Sequence, residues 1–231
     1  MDEYGNMRWY KDGVLHRDDD KPAIIYLSGT AYWYKEGVLH RDEGPAITYR
    51  DGPTYMYVES IDDPNIKSDL YVDTYGDAWN IISSENIYFR DTVEDLWYQN
   101  GVLHREGDQP AIEKSNGDAR WYQNDELHRD NDQPAVDEDR IQMWYIRGKR
   151  HRTNDKPAVI HDYGTQEWYQ EDKLHRENDK PAIEHENGTK EWYINGVRHR
   201  VDGPAVDHPP WKRKWFLHGI QYTEEEFNKH M

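Results

Sequence analysis

Tryptophan recurs along this chain at a nearly fixed step. Trp9, Trp33, Trp97, Trp121, Trp144, Trp168, Trp192 and Trp215 are separated by 24, 64, 24, 23, 24, 24 and 23 residues. A period in this range marks a repeat array, in which no unit buries a core alone and neighbours must supply it. Other residues keep the same step. A Tyr follows Trp directly at Tyr10, Tyr34, Tyr98, Tyr122, Tyr145, Tyr169 and Tyr193. Seven residues after Trp comes a His-Arg pair: His16–Arg17, His40–Arg41, His104–Arg105, His128–Arg129, His151–Arg152, His175–Arg176 and His199–Arg200. Pro-Ala then follows, beginning at Pro22, Pro45, Pro110, Pro134, Pro157, Pro181 and Pro204. The stretch WYKDGVLHRDDDKPAI is therefore one of seven well-formed copies rather than an isolated site.

Two turns punctuate each copy. One carries Gly four residues before Trp, at Gly5, Gly29, Gly117, Gly164 and Gly188; the other falls just after Trp-Tyr, as DG, EG, NG, ND, RG, ED, NG or HG. Asn-Gly and Asp-Gly supply the positive φ angles of tight hairpin turns. Helical periodicity is absent, because Gly or Pro arrives every few residues. Each copy reads as a β-hairpin, and lone hairpins are marginal in water, so the copies must stack. The expectation is a continuous antiparallel meander, with equivalent residues two strands or roughly 10 Å apart. The Ala after Pro, present in all seven copies, is expected to leave room for an indole, and Trp and Tyr are expected on opposite faces. Between Arg and Pro the loop has four residues (DDDK, EGDQ, DNDQ, TNDK, ENDK) or three (DEG, VDG). The short form places Gly before Pro, where it can take angles that the long form is not expected to need.

Composition agrees with a thin structure built on local contacts. Only 35% of the 231 residues are hydrophobic and 32% are charged, with a mean hydropathy of −1.21. The 10 Trp and 18 Tyr are too many for a solvated tail. A net charge of −17 repels phosphate backbones and anionic lipid. No nucleic-acid partner is expected, and membrane binding is disfavoured; the one short basic run is WKRKW, residues 211–215. Without cysteine there are no disulfides or thiolate metal sites. The start shows no secretory signal and no stretch is long enough to span a bilayer, so an intracellular (host cytoplasm) or virion location is expected.

The turn NGVRH at residues 195–199, the NGT turn before it and the 23-residue step resemble MORN repeats. The extended form WYxNGxxHRxxGPA is similar to MORN-like arrays of large DNA viruses and phages, whose last unit often closes on a tail like YTEEEF, residues 222–227 here. Arg stands where MORN units usually have Gly after His, and Pro-Ala is an addition. The resemblance implies an all-β fold, an elongated meander of stacked β-hairpin repeats of 23–24 residues. It implies scaffolding of other proteins, with lipid binding proposed for some members; fold does not carry function.

The organisation expected is repeats over 1–57, an irregular acidic insertion or decayed repeats over 58–96, repeats over 97–222 and a capping helix over 223–231, one repeat domain overall. Met56–Tyr57 stands eleven residues after Pro45, where Trp-Tyr belongs. Residues 58–96 hold ten acidic and two basic side chains. Their aromatics Tyr71, Tyr75, Trp79, Tyr88 and Phe89 form a candidate partner patch, because only there is the chain unlike itself. At the C-terminus, Thr223 with Glu226 reads as a capping box opening a short helix from about Glu224.

The imidazole and carboxylates of HRDDDK or HRDNDQ suit calcium or a borderline metal in type. The copies vary, however, and HRTNDK and HRVDG carry one acid each. The structural expectation is that Asp or Asn caps the turn, His bonds to a neighbouring unit and Arg lies over an aromatic face. No nucleophile motif, phosphate loop or metal-protease motif is present, and near-identical surface units offer no single concave constellation. The sequence points to a non-enzymatic scaffold without cofactor that binds an unidentified protein partner. A virion or tail component serving as spacer or self-associating element is the alternative, homo-oligomerisation stays open, and a lipid-surface module is third.

Overall fold

A computed structural model describes residues 5–50, 70–72, 78–80, 94–208, 210 and 212–230, with the backbone alone for 70–72 and 78–80. The chain is all-β, an antiparallel meander of repeated hairpins with one short helix near its C-terminus. It divides into two compact units, Met1–His104 with Ala111–Gly117, and Arg105–Pro110 with Asp118–Met231.

The first unit contains a ladder whose strands run, in spatial order, Met7–Arg8, Ile24–Ile25, Ala31–Tyr32, Ile47–Tyr49, Glu94–Leu96 and Ile112–Lys114. Ile47–Tyr49 pairs directly with Glu94–Leu96, with Leu96 opposite Ile47. The ladder thus closes over residues 51–93. The repeat of Trp97 takes the place beside the repeat of Trp33, where Met56–Tyr57 was expected: Gly101 N donates to Leu39 O at 2.9 Å. Met56–Tyr57 lies outside the described residues, as do Tyr75, Tyr88 and Phe89. Tyr71 and Trp79 are opposite each other in a separate antiparallel pair, Leu70–Val72 with Ala78–Asn80.

The second unit repeats the scheme over Ala119–Arg120, Val136–Glu138, Ile141–Met143, Val159–His161, Gln166–Glu167, Ile183–Glu184, Lys190–Glu191, Val206–His208, Lys212–Leu217 and Ile220–Tyr222. Residues 212–215 of the basic run lie on the Lys212–Leu217 strand, where Arg213 Nε donates to Asp207 at 3.2 Å.

Within the meander each copy is divided more finely. Each copy contributes to two ladders, and the chain changes ladder at Trp. The strand before Trp and the strand after Pro-Ala belong to the long ladder. Tyr and its successor pair with the residues before His in a separate two-residue hairpin, as in Tyr169–Gln170 with Lys173–Leu174. The Trp backbone divides its bonds accordingly: Trp168 N donates to Ala182 O at 2.8 Å, and Trp168 O accepts His175 N at 3.0 Å.

The core is shallow. Ala23, Ala46, Ala111, Ala135, Ala158, Ala182 and Ala205 have no exposed surface, and most of the Ile and Val residues that follow them are buried. Trp192 packs in one cluster with Ala205, Val206 and Phe216, as the small Ala was expected to allow. Trp144, Trp168 and Trp192 are buried. At the C-terminal end, the helix Glu224–His230 packs on the last two strands through buried Phe227. Its capping box forms as the sequence predicts: Glu226 N donates to Thr223 Oγ1 at 3.2 Å, and Thr223 N to Glu226 Oε2 at 2.8 Å.

Successive small hairpins meet through their turns. Gly196 N donates to Leu174 O at 2.8 Å, and Gly219 N to Arg198 O at 2.9 Å. The two turn residues are left-handed, as at Asn195 (φ 52°) and Gly196 (φ 82°). Space adds a second demand at Gly219, where a Cβ would lie 2.9 Å from Val197 Cγ1. Gly188, at φ +81°, has nothing within 4 Å of its Cβ position. Both Gly→Ala changes incur the cost of about 1–2 kcal/mol for a left-handed Ala. Gly219→Ala is expected to destabilise further, by about 1 kcal/mol or more of overpacking, a difference that urea midpoints of the two variants will measure.

Candidate functional site

The recurring residues assemble into one contact, made at successive junctions between copies. At the junction before Trp168 the loop residue Asp155 supplies both halves of it. Its carbonyl accepts the indole N–H of Trp168 at 3.0 Å. Its carboxylate accepts Arg176 through Nε at 2.7 Å and Nη2 at 3.2 Å. The Arg176 guanidinium lies 3.7 Å from the Trp168 ring centroid and donates through Nη1 to Pro181 O at 3.2 Å. One side chain thus covers its own indole, holds its own loop and grips the preceding loop.

The same geometry links Asp20 to Trp33 and Arg41 in the first unit. In the second unit it links Asp108 to Trp121 and Arg129, Asp132 to Trp144 and Arg152, and Asp179 to Trp192 and Arg200. Arg lies over an aromatic face, as the sequence suggests. The role expected of the loop acids is corrected: the third-position Asp reaches the next copy's Arg rather than capping its own turn. The varied loops had suggested interchangeable acids. Yet position three is Asp in all five four-residue loops, while positions one, two and four change; that constant column was the available signal. These loops also need left-handed residues, such as Asn154 (φ 61°) and Asp155 (φ 55°), contrary to the expectation for the long form. In the short loops the Gly stands at φ 146° (Gly44) or 150° (Gly203), and a Cβ at Gly44 would lie 2.8 Å from Arg41 Nη1.

The histidines form the second bridge. Nδ1 of His16, His40, His128, His175 and His199 accepts the backbone N–H of Glu36, Asn100, Arg147, Asn195 and His218 respectively, at 2.9–3.2 Å. These N–H groups belong to the first turn residue of the next hairpin, which explains how Glu36, Arg147 and His218 are held in left-handed conformations. An accepting Nδ1 places the imidazole proton on Nε2, which faces Asp18, Asp42 or Asp130 in three copies. His104 donates its N–H to Trp97 O like the others. His151 departs: its Nδ1 makes no hydrogen bond and lies 3.5 Å from Glu171 Oε1. The next turn there is Glu171-Asp172, without Gly, and its carboxylates instead take Lys149 at 2.8 Å and Arg150 at 3.1 Å.

Tyrosines meet different neighbours from the tryptophans. Tyr169 and Tyr193 donate to Glu167 and Glu191 at 2.9 and 3.0 Å, and Arg150 lies over Tyr169 at 4.1 Å. Burial pushes the Tyr169 hydroxyl up to about 12. In the first unit Tyr26, Tyr32 and Tyr49 form an edge-to-face row, and burial raises the Tyr32 hydroxyl further.

Chemically these contacts are bonds between repeats. In HRDDDK the carboxylates go to separate partners: Asp18 to His16 and Lys11, Asp19 to Lys21, Asp20 to Arg41. Among the described residues no group of three or more His, Asp or Glu is placed to hold a metal ion. A groove of about 570 Å³ opens beside Trp192, lined in part by Ile194, Val197, Val201 and His218. No protein-family model, curated protein or solved structure matches the chain.

Two titrations follow. Arg176, then Lys180, hold the Asp155 carboxyl down to about 2. A depressed acid contributes stability above its ordinary 3.8 and loses it as pH falls toward the folded value. Asp155→Asn is therefore expected to flatten the acid limb of stability between about pH 4 and 2. A double-mutant cycle with Arg176→Gln should give a coupling of about 0.5–1 kcal/mol, discounted for solvent because Asp155 is 42% exposed.

His199 adds a second loss of stability on acidification, here because burial disfavours its charged form. Burial, with His218 beside it at 4.4 Å between ring centroids, lowers its pKa from 6.5. Its neutral form is the one that accepts His218 N–H. The unfolded chain binds the extra proton first, so stability falls as pH drops through about 6.5 and levels off below the folded value. His199→Gln should reduce the loss of stability between about pH 7.5 and 5, as urea titrations at both pH values would show.

Proposed function

We propose that the chain is a non-enzymatic scaffold whose repeats display a variable surface for a protein partner. One observation carries the reading: the Trp, His and Arg of each copy are constant while the facing positions of the small hairpins change. The cross-strand pair just outside each turn is Lys11/Val14, Lys35/Val38 and Gln99/Val102 in the first unit. In the second it is Gln123/Glu126, Ile146/Lys149, Gln170/Lys173 and Ile194/Val197. Val14, Val38, Ile146, Ile194 and Val197 are exposed. A framework that repeats and a display position that varies is how repeat scaffolds distribute binding over many weak contacts. The resemblance to MORN-like viral arrays supports the same reading, and the charge of −17 opposes lipid docking.

The Ile194/Val197 pair beside the groove is the first place to test. The doubly substituted Ile194→Lys, Val197→Lys chain is expected to keep its thermal midpoint, because both positions are exposed, and to lose a partner captured by the unchanged chain. Capture that survives this change and equivalent ones at Ile146 and Val38 would overturn the display reading, and co-sedimentation with anionic vesicles would replace it with lipid binding.

A further inference from the structure

Trp33 and Trp192 head the two copies with a three-residue loop, so their positions correspond one to one. Two residues after Trp stands Lys35 in one and Ile194 in the other; two residues after His stands Asp42 in one and Val201 in the other. In the copy of Trp33 these side chains meet. Asp42 accepts Lys35 Nζ at 3.3 Å and, on its other oxygen, His40 Nε2 at 2.8 Å. Lys11, His16 and Asp18 make the same contact, and His128 meets Asp130. Of the seven copies, the one headed by Trp192 alone has apolar residues at both positions. His199 Nδ1 accepts His218 N at 3.1 Å, which leaves the ring proton on Nε2. Among the described residues that N–H meets no acceptor. Ile194, His199 and Val201 instead line the groove of about 570 Å³ beside Trp192, together with Val197 and His218.

We propose that this groove binds an acidic side chain of a protein partner, an Asp or Glu flanked by large apolar residues, with its carboxylate on His199 Nε2. The chain itself shows which ligand this nitrogen takes: three other copies place an Asp carboxylate on it at 2.8–3.2 Å. At His199 both the donor and the space are left for a carboxylate supplied by another molecule. Because Nε2 carries the proton, it recognises an acceptor and not a cation. Asp179 is the one acid in the lining and is held by Arg200 at 2.9 Å, so no unpaired carboxylate there repels the incoming one. The flanking residues follow from Ile194. Where Lys35 sets an ammonium beside Asp42, Ile194 sets a hydrocarbon surface, continued by Val197 and Val201, and all three are exposed. Covering them with an apolar group of the partner is favourable in proportion to the area removed from water.

This inference rests on the scaffold reading and deepens it, yet the two can fail apart. A partner that needs Ile194 and Val197 but tolerates Val201→Asp keeps the display reading and overturns this one. The probes are the peptide acetyl-Leu-Asp-Leu-amide and its Asn counterpart, titrated into the full chain while the His199 ring signals are followed by NMR. The Asp peptide is expected to move those signals and to bind at least about tenfold more tightly than the Asn peptide, as a hydrogen bond to a charged acceptor would give. Val201→Asp copies Asp42 and supplies the carboxylate within the chain. It is expected to keep the thermal midpoint and to weaken the Asp peptide at least about tenfold. Unmoved His199 signals, equal binding of the two peptides, or undiminished binding to the folded variant would each overturn the proposal. Hexanoate bound as tightly as the Asp peptide would overturn it too, by giving the groove to small acids. Should Val201→Asp fail to fold, Lys35→Ile with Asp42→Val carries the same arrangement to the copy of Trp33. That chain is expected to bind a second Asp peptide, and a single site in it would sink the proposal instead.

Discussion

The grip of one aspartate on the next repeat is the interaction on which the rest depends. A hairpin of two-residue strands has almost no hydrophobic interior, and each indole would lie open on one side. Asp155 resolves this for Trp168 by accepting its N–H and by fixing the guanidinium that covers its ring. A charge-assisted, two-point bond adds direction to what stacking alone would leave loose. The histidine bridge works at the other end of the hairpin and sets the turn, so neighbouring copies are registered at two points.

Much of this was legible in the sequence because repetition is itself a measurement. The turns at Asn195-Gly196, the strands after Pro-Ala and the Thr223–Glu226 box follow from local chemistry, and all three form as read. Stacking of Arg on Trp and a His contact to the neighbour were also within reach. Three things were not. The change of ladder at Trp depends on which partner each backbone group chooses, and alternation within a strand does not reveal that choice. The left-handed Glu36 and Arg147 are poor candidates on propensity, and only the imidazole acceptors from the previous copy hold them there. The role of Asp155 needed the loops to be compared column by column, because the eye is drawn to how much they differ.

The junction over residues 51–93 shows that nearest-neighbour construction is local in a strict sense. Tyr49 and Glu94 are partners across the ladder, and His40 meets Asn100 sixty residues away as if the copies were consecutive. Loop closure grows only slowly in cost with length, so a long excursion weighs little against the ladder pairing and the His40 bridge.

That tolerance has an evolutionary meaning. A seam held on both sides by the same few atoms accepts foreign sequence without disturbing the copies that flank it. New segments can therefore be tried at any boundary, kept or discarded, while the remainder of the chain continues to fold by its existing rules.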